Sequence, residues 1–173
     1  MHQQGFSLIE LLMGLTIVGI VLYWVCPALA AFSESARREE AAKSIMGGIR
    51  NARTLAMTRN QTVVIHGIHG DWAQGWRIIL DVSGKGAADH DNPLIAEHAN
   101  SGGGGPIMGN WWVRRYIRFS SLGMPLMPER AFQAGTLHLC DAREPVSQLQ
   151  IVLAPSGRVS LLSEKTEQAL CER

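Results

Sequence analysis

The apolar positions of this chain fall into three regimes. From Leu11 to Ser33 no residue is charged, and Leu, Ile, Val, Met and Trp dominate. These twenty-three positions exceed the roughly 20 apolar residues that cross a bilayer. A soluble core helix rarely runs so far without a polar face, so the segment reads as a membrane helix. Beyond Pro27 the spacing becomes helical and one-sided. Ala41, Ile45, Ile49, Ala52 and Ala56 recur every three or four residues with Leu55 beside them, while Arg37, Arg38, Glu39, Lys43, Arg50 and Arg53 fill much of the rest. One apolar stripe on a helix follows. The two segments are expected to form one rod, bent at Pro27, which removes a backbone donor and crowds the preceding turn. Gly47 and Gly48 weaken its middle by roughly 1 kcal/mol each relative to Ala. Its end is expected near Asn60.

From Thr62 onward the period shortens to two. Strands are predicted over 62–66, 75–81, 111–119, 136–140, 149–153 and 158–162, with Ala154-Pro155-Ser156-Gly157 turning the last hairpin. Between the second and third strands lie the polar stretch VSGKGAADHDNP, the apolar triplet Leu94-Ile95-Ala96 and the glycine run SGGGGP, read as a flexible loop. The fold class expected is α+β. A long N-terminal helix, with a membrane half (6–33) and an amphipathic half (34–60) packed on the globular domain, precedes an antiparallel β-rich domain over 61–173.

Charge narrows the function. The 173 residues carry a formal net charge of +1, with no Lys or Arg before Arg37 and ten Lys/Arg against eleven Asp/Glu from Asn60 onward. A strongly basic nucleic-acid domain is excluded on that balance. Cysteine usage leaves two readings. Cys140 and Cys171 form one disulfide in an oxidising compartment, leaving Cys26 unpaired in lipid, or they are two free buried thiols of a cytosolic domain. The apolar run also has two competing readings. A secretory signal would use Ala28-Leu29-Ala30 as its small-residue site, but MHQQG has no basic residue and Glu10 interrupts the start. An ordinary anchor would be oriented by Arg37 and Arg38 with its C-terminal side in the cytoplasm.

Glycine, aromatic and carboxylate then stand in a specific order. Gly5-Phe6-Ser7-Leu8-Ile9-Glu10, followed by the apolar helix and Pro27, closely resembles the leader signal of type IV pilins and type II secretion pseudopilins. The resemblance implies a leader over 1–5, cut by a prepilin peptidase between Gly5 and Phe6, and N-methylation of Phe6. It also implies a filament-assembly role for Glu10, paired with the N-terminal amine of a neighbouring subunit. The leader here lacks the family's usual basic residues. Ala52-Arg53-Thr54-Leu55-Ala56-Met57-Thr58-Arg59-Asn60-Gln61-Thr62-Val63 is similar to the helix end of the GspH/FimT/FimU group of minor pilins. Trp72-Ala73-Gln74-Gly75-Trp76 with Asp81 is similar to that group's W-x-x-G-W…D hairpin, and Ser156-Gly157-Arg158-Val159 to its late Gly-Arg hairpin. Implied partners are prepilin peptidase, other minor pilins, the major pilin and the inner membrane. The implied location is a single pass of that membrane with the C-terminal domain periplasmic, then the pilus, at its tip. The implied role is priming or capping a type IV pilus. The distal cysteine pair favours that over a type II secretion pseudopilin, which stays open.

DNA is the third expectation. DNA-binding members of the group carry Gly-Arg-x-Arg; here Ser160 replaces the second arginine after Gly157-Arg158-Val159. One arginine on one phosphate adds a single increment of salt-dependent affinity. A richer candidate is NWWVRRYIRF, in which a strand would put Trp112, Arg114, Tyr116 and Arg118 on one face and Trp111, Val113, Ile117 and Phe119 on the other, with Arg115 among them. Cations among rings suit single-stranded nucleic acid or a protein partner, or simply arginines covering aromatic rings on a sheet. His66, His69 and Asp71 read as turn residues rather than metal ligands. Asp81, Asp89, Asp91 and Asn92 lack the spacing of a calcium loop. No nucleophile motif or phosphate loop occurs, so neither catalysis nor a cofactor is expected.

Overall fold

The computed structural model describes residues 8–89, 91–100, 102–129 and 131–172, and of Pro27 and Ala28 the backbone alone. Gly5 and Phe6 lie outside the described residues. The chain divides into two compact units, Met1–Ser35 and Ala36–Arg173. Helix α1 (Leu8–Arg59) begins in the first and ends in the second, passing through position 27 without a break.

In the first unit every large apolar side chain described is exposed, from Leu8 to Phe32. Thr16 returns its hydroxyl to the helix, donating to the carbonyls of Leu12 (2.9 Å) and Met13 (2.8 Å). No polar group of that side chain is thus left bare in an apolar environment. Among the described residues α1 is the one helix long and apolar enough to cross a bilayer.

The second unit is built on the predicted stripe. Ala41, Ala42, Ile45, Ile49, Ala52 and Ala56 are buried in one core with Val63, Ile65, Ile78, Ile117, Phe119, Leu137, Leu139, Ile151 and Leu153. The helix stops where expected. Asn60 takes φ 49°, and the Gln61 N–H turns back to the Ala56 carbonyl at 3.2 Å, closing the last turn. Two antiparallel sheets complete the core. The first has the order β3 (Leu94–Ala99), β2 (Asp71–Leu80), β1 (Val63–Ile68), β5 (Tyr116–Phe119); the second runs β4 (Ile107–Gly109), β6 (Gly135–Cys140), β7 (Val146–Leu153), β8 (Val159–Leu162), with β9 (Thr166–Glu167) also on β7. Every one of these pairings is antiparallel.

Several expectations need correction. The strand predicted over 111–119 is four residues long, and 111–115 are turn and bend. Its shared face of Trp112, Arg114, Tyr116 and Arg118 therefore does not exist as a strand face. The described part of the glycine run lies on α1 instead of standing free: a Cβ at Gly104 would meet the helix backbone at Arg37 and Arg38 at 3.4 Å. The polar stretch after β2 is also organised. Asp81 accepts from the Gly86 N–H at 2.8 Å, and Asn92 accepts from the Val82 N–H (3.1 Å) while donating to the Gly86 carbonyl (2.9 Å). These bonds fold 82–89, with 91 and 92, into a strap over the outer side of β1, where Gly86 faces Val64.

Candidate functional site

The Trp72–Trp76 motif is an assembly device in this fold. Trp72 is fully buried, and its indole N–H is shared between the carbonyls of Val113 (3.2 Å) and Arg114 (3.0 Å). Three residues further along β2, Gly75 (φ 124°) comes so close to β3 that a side chain would fall on the His98 carbonyl. Trp76 lies over α1 where Gly48 leaves room, and its indole donates to the Ser44 hydroxyl at 3.0 Å. One hairpin thus locks a turn, a neighbouring strand and the helix.

Gln133 is the residue that sequence reasoning missed. It is fully buried, donates through Nε2 to the carbonyls of Trp112 (2.6 Å) and Tyr116 (2.9 Å), and accepts the Arg118 N–H at 2.9 Å. Together with Trp72 it pins 112–116 as a turn. A buried amide with all three bonds made fixes local backbone strongly, because each partner would cost free energy if left dry and unbonded. No motif spacing announces Gln133; only its distance in sequence from the segment it braces explains why it was invisible.

The arginines split by what they touch. Arg118 is held against the buried Asp81, Nε to Oδ2 at 2.9 Å, so it serves the strap. Trp112 and Arg114 are exposed on the turn, and Tyr116 is half-buried at the start of β5. Arg158 is exposed; its carbonyl accepts the Ala154 N–H at 2.9 Å, and its side chain has no ion pair or hydrogen bond among the described residues. Its neighbour Gly157 is instead a docking point for the helix: Arg53 donates to the carbonyls of Gly123 (3.0 Å) and Gly157 (3.3 Å), and Arg50 to that of Val159 (3.4 Å). The structure thus places Arg158 at the β7–β8 hairpin and does not gather it with Trp112, Arg114, Tyr116 and Arg118 into one described surface.

Glu10 is exposed on the apolar helix, in its first described turn. Cys26 is exposed and free, and Cys140 is bonded to Cys171 with Cα atoms 5.6 Å apart, which selects the disulfide over the two-thiol reading. The bridge ties the last described residues to β6; closing its loop stabilises the fold by roughly 3–4 kcal/mol in the chain-entropy account. Beside it, His138 is held between the Ser147 hydroxyl (3.2 Å) and Gln168 (3.3 Å), and burial lowers its pKa. Burial lowers that of His66 too, against its bond to the Gly67 carbonyl and with help from Arg77. Asp141 is held below the usual carboxylate range, first by the Arg143 N–H, with Arg38 at 3.5 Å adding to the effect. Among the described residues no group of three His, Cys, Asp or Glu is placed to hold a metal.

A single long helix, apolar at its start and running into two antiparallel sheets, with a carboxylate near the apolar N-terminus, defines a pilin-class protein. A family model described as Type II transport protein GspH matches residues 41–157, more than half of the chain, and the prokaryotic N-terminal methylation motif matches residues 1–22. The chain belongs to the GspH family. Two crystal forms of the type IV minor pilin FimU of Pseudomonas aeruginosa share its fold. One is 18% identical, covers 79% of this chain and 98% of its own, and has a TM-score of 0.61; the other is 18% identical, covers 75% and 98%, and has a TM-score of 0.59. No curated protein matches the chain. Family and fold are those of structural pilins of the type IV pilus and type II secretion systems, and the apolar helix with the methylation motif points to membrane anchoring and to processing by prepilin peptidase.

Proposed function

We propose that this chain is a minor pilin that primes or caps a type IV pilus. In this reading the leader is cut between Gly5 and Phe6, Phe6 is methylated, and residues 6–33 lie in the inner membrane with the β-rich domain in the periplasm until assembly carries it to the pilus tip. One combination supports it above all: a methylation motif and Glu10 on a bare apolar helix, joined to a GspH-type domain of FimU-like fold. Glu10 carries the chemistry. A carboxylate inside a bilayer costs several kcal/mol unless paired, and the α-amine freed at Phe6 of a neighbouring subunit is a cation of the right charge and depth. Before assembly the carboxylate snorkels to the membrane edge. The expected result for Glu10→Ala is normal insertion and cleavage with loss from sheared pili; pili that incorporate it at the wild-type level would overturn the role. Gly5→Leu should retain the leader, visible as a slower gel band.

The description of the matching family model favours a second reading, a minor pseudopilin of a type II secretion system. Deletion separates the two: loss of surface pili with intact exoprotein secretion supports the first, and the reverse supports the second. DNA binding has less support, because Arg118 is paired with Asp81 and Trp112 and Arg114 lie on a turn instead of sharing a strand face with Tyr116. A gel shift of the purified protein, with Arg158→Ala and Arg114→Ala as controls, tests it.

A further inference from the structure

The outer side of the first sheet carries a groove of about 560 Å³, within the size range of ligand sites. Its floor follows from strand register. Arg77, His66 and Tyr116 form one cross-strand row over β2, β1 and β5, and Ile79, Val64 and Arg118 form the next. The strap residues 84–89 and Asn92 make one wall, and Arg115 and Pro128 also line the groove. The charges lining it are unequal. Arg77 is ion-paired with Glu97 at 2.6 Å and Arg118 with Asp81 at 2.9 Å, so those cations are neutralised locally. Lys85 and Arg115 are exposed and have no acidic partner among the described residues. Asp89 is the one acid among the described lining residues, and it has an interaction of its own. His66 has its pKa lowered by burial and so adds no charge near neutral pH.

We propose that this groove binds an acidic peptide segment of a partner protein, with aliphatic side chains alternating between its carboxylates. Two free cations supplied by different loops suit one or two carboxylates. Ile79 and Leu94 line the groove beside them and offer an apolar surface for the intervening side chains. A nucleic-acid strand fits less well. It needs several phosphate contacts and a run of stacking faces, and the groove supplies two unpaired cations, with Tyr116 and the imidazoles of His66 and His69 as its rings. The strap is bonded through Asp81 and Asn92 to its own backbone, so its shape, and with it the Lys85 backbone, is set before any ligand arrives. The site does not depend on which filament the chain serves.

The test uses the full chain in a neutral detergent and a fluorescein-labelled octapeptide of alternating Val and Glu, read by anisotropy. Saturable binding is expected, weakened by added salt and by at least about tenfold in the double variant Lys85→Glu/Arg115→Glu. Both side chains are exposed, so the variant leaves the fold intact. Arg158→Ala should bind like the wild type. The proposal is overturned by the absence of saturable binding, by equal binding of a Val-Gln peptide, by a double variant that binds undiminished, by a loss of binding in Arg158→Ala, or by a single-stranded oligonucleotide of equal charge that binds this groove more tightly. Pilus incorporation is not read here, so failure of this site and failure of the pilin role give separate results.

Discussion

Gly47 and Gly48 are adjacent, chemically identical and opposite in consequence. A Cβ on Gly47 would meet nothing within 4 Å, whereas one on Gly48 would lie 2.8 Å from a ring carbon of Trp76 and 3.0 Å from the Ile65 methyl. Helix propensity alone makes either Gly→Ala change worth about 1 kcal/mol of added stability. Gly47→Ala should show that gain in denaturant unfolding followed by tryptophan fluorescence. Gly48→Ala should instead lose about 1–3 kcal/mol, the range for overpacking a core contact, because Trp76 is anchored by its bond to Ser44 and cannot simply swing away. Equal behaviour of the two variants would contradict the packing described. From the sequence both glycines read only as weak points in a helix. The difference lies in a tryptophan from a distant hairpin, which helical periodicity does not report. Gln133 was hidden for a similar reason: its three partners lie 15 to 21 residues away in sequence.

At the scale of elements, the predictable parts were those whose own pattern decided them. The helix stripe at Ala41, Ile45, Ile49, Ala52 and Ala56 is buried, and the strands around Val63, Leu137, Ile151 and Val159 form with only shifted ends. Misreading occurred where contacts override local preference. The aromatic and β-branched residues of 111–119 favour a strand, yet Trp72 and Gln133 bond to the carbonyls of Trp112, Val113 and Arg114 and hold a turn. Strands β4 and β9, three and two residues long, are too short to show a period. The same packing sets a pH dependence. His66 and His138 have pKa values lowered by burial below the ordinary 6.5. The unfolded chain therefore binds more protons than the folded one as pH falls below about 6.5, and stability drops with it. Asp141 is depressed below 3.8, so its contribution is full above that value and is lost at lower pH still. Thermal midpoints should be flat from pH 8 to 7 and then fall in two stages, the first below about 6.5. A His138→Asn chain should show a shallower first stage, since the group between Ser147 and Gln168 no longer titrates.

For the whole molecule, the division into Met1–Ser35 and Ala36–Arg173 assigns different work to the two parts of one helix. The first exposes its apolar side chains throughout its described length and adds none to the core, whose members run from Ala41 to Val159. The second holds that core, both sheets, the Arg38–Asp141 ion pair and the Cys140–Cys171 bridge. A fragment of residues 36–173 should therefore fold alone. Cutting α1 at Ala36 leaves the backbone N–H groups of residues 36–39 without helical partners; Ala36, Arg37 and Glu39 are exposed to water, Arg38 is buried, and the first core position comes at Ala41. The expected outcome is a soluble monomer by light scattering, with antiparallel sheet and helix by circular dichroism and a thermal midpoint within about 3 °C of the full chain, the shift that a cost below 1 kcal/mol produces in a domain of this size. Cys140→Ser/Cys171→Ser in the same fragment should lose roughly 3–4 kcal/mol, which separates loss of the bridge from loss of the membrane helix. A fragment that aggregates or melts far lower with its disulfide intact would show that the apolar half of α1 supports the domain as well as anchoring it, and the division of labour between lipid and core would have to be redrawn.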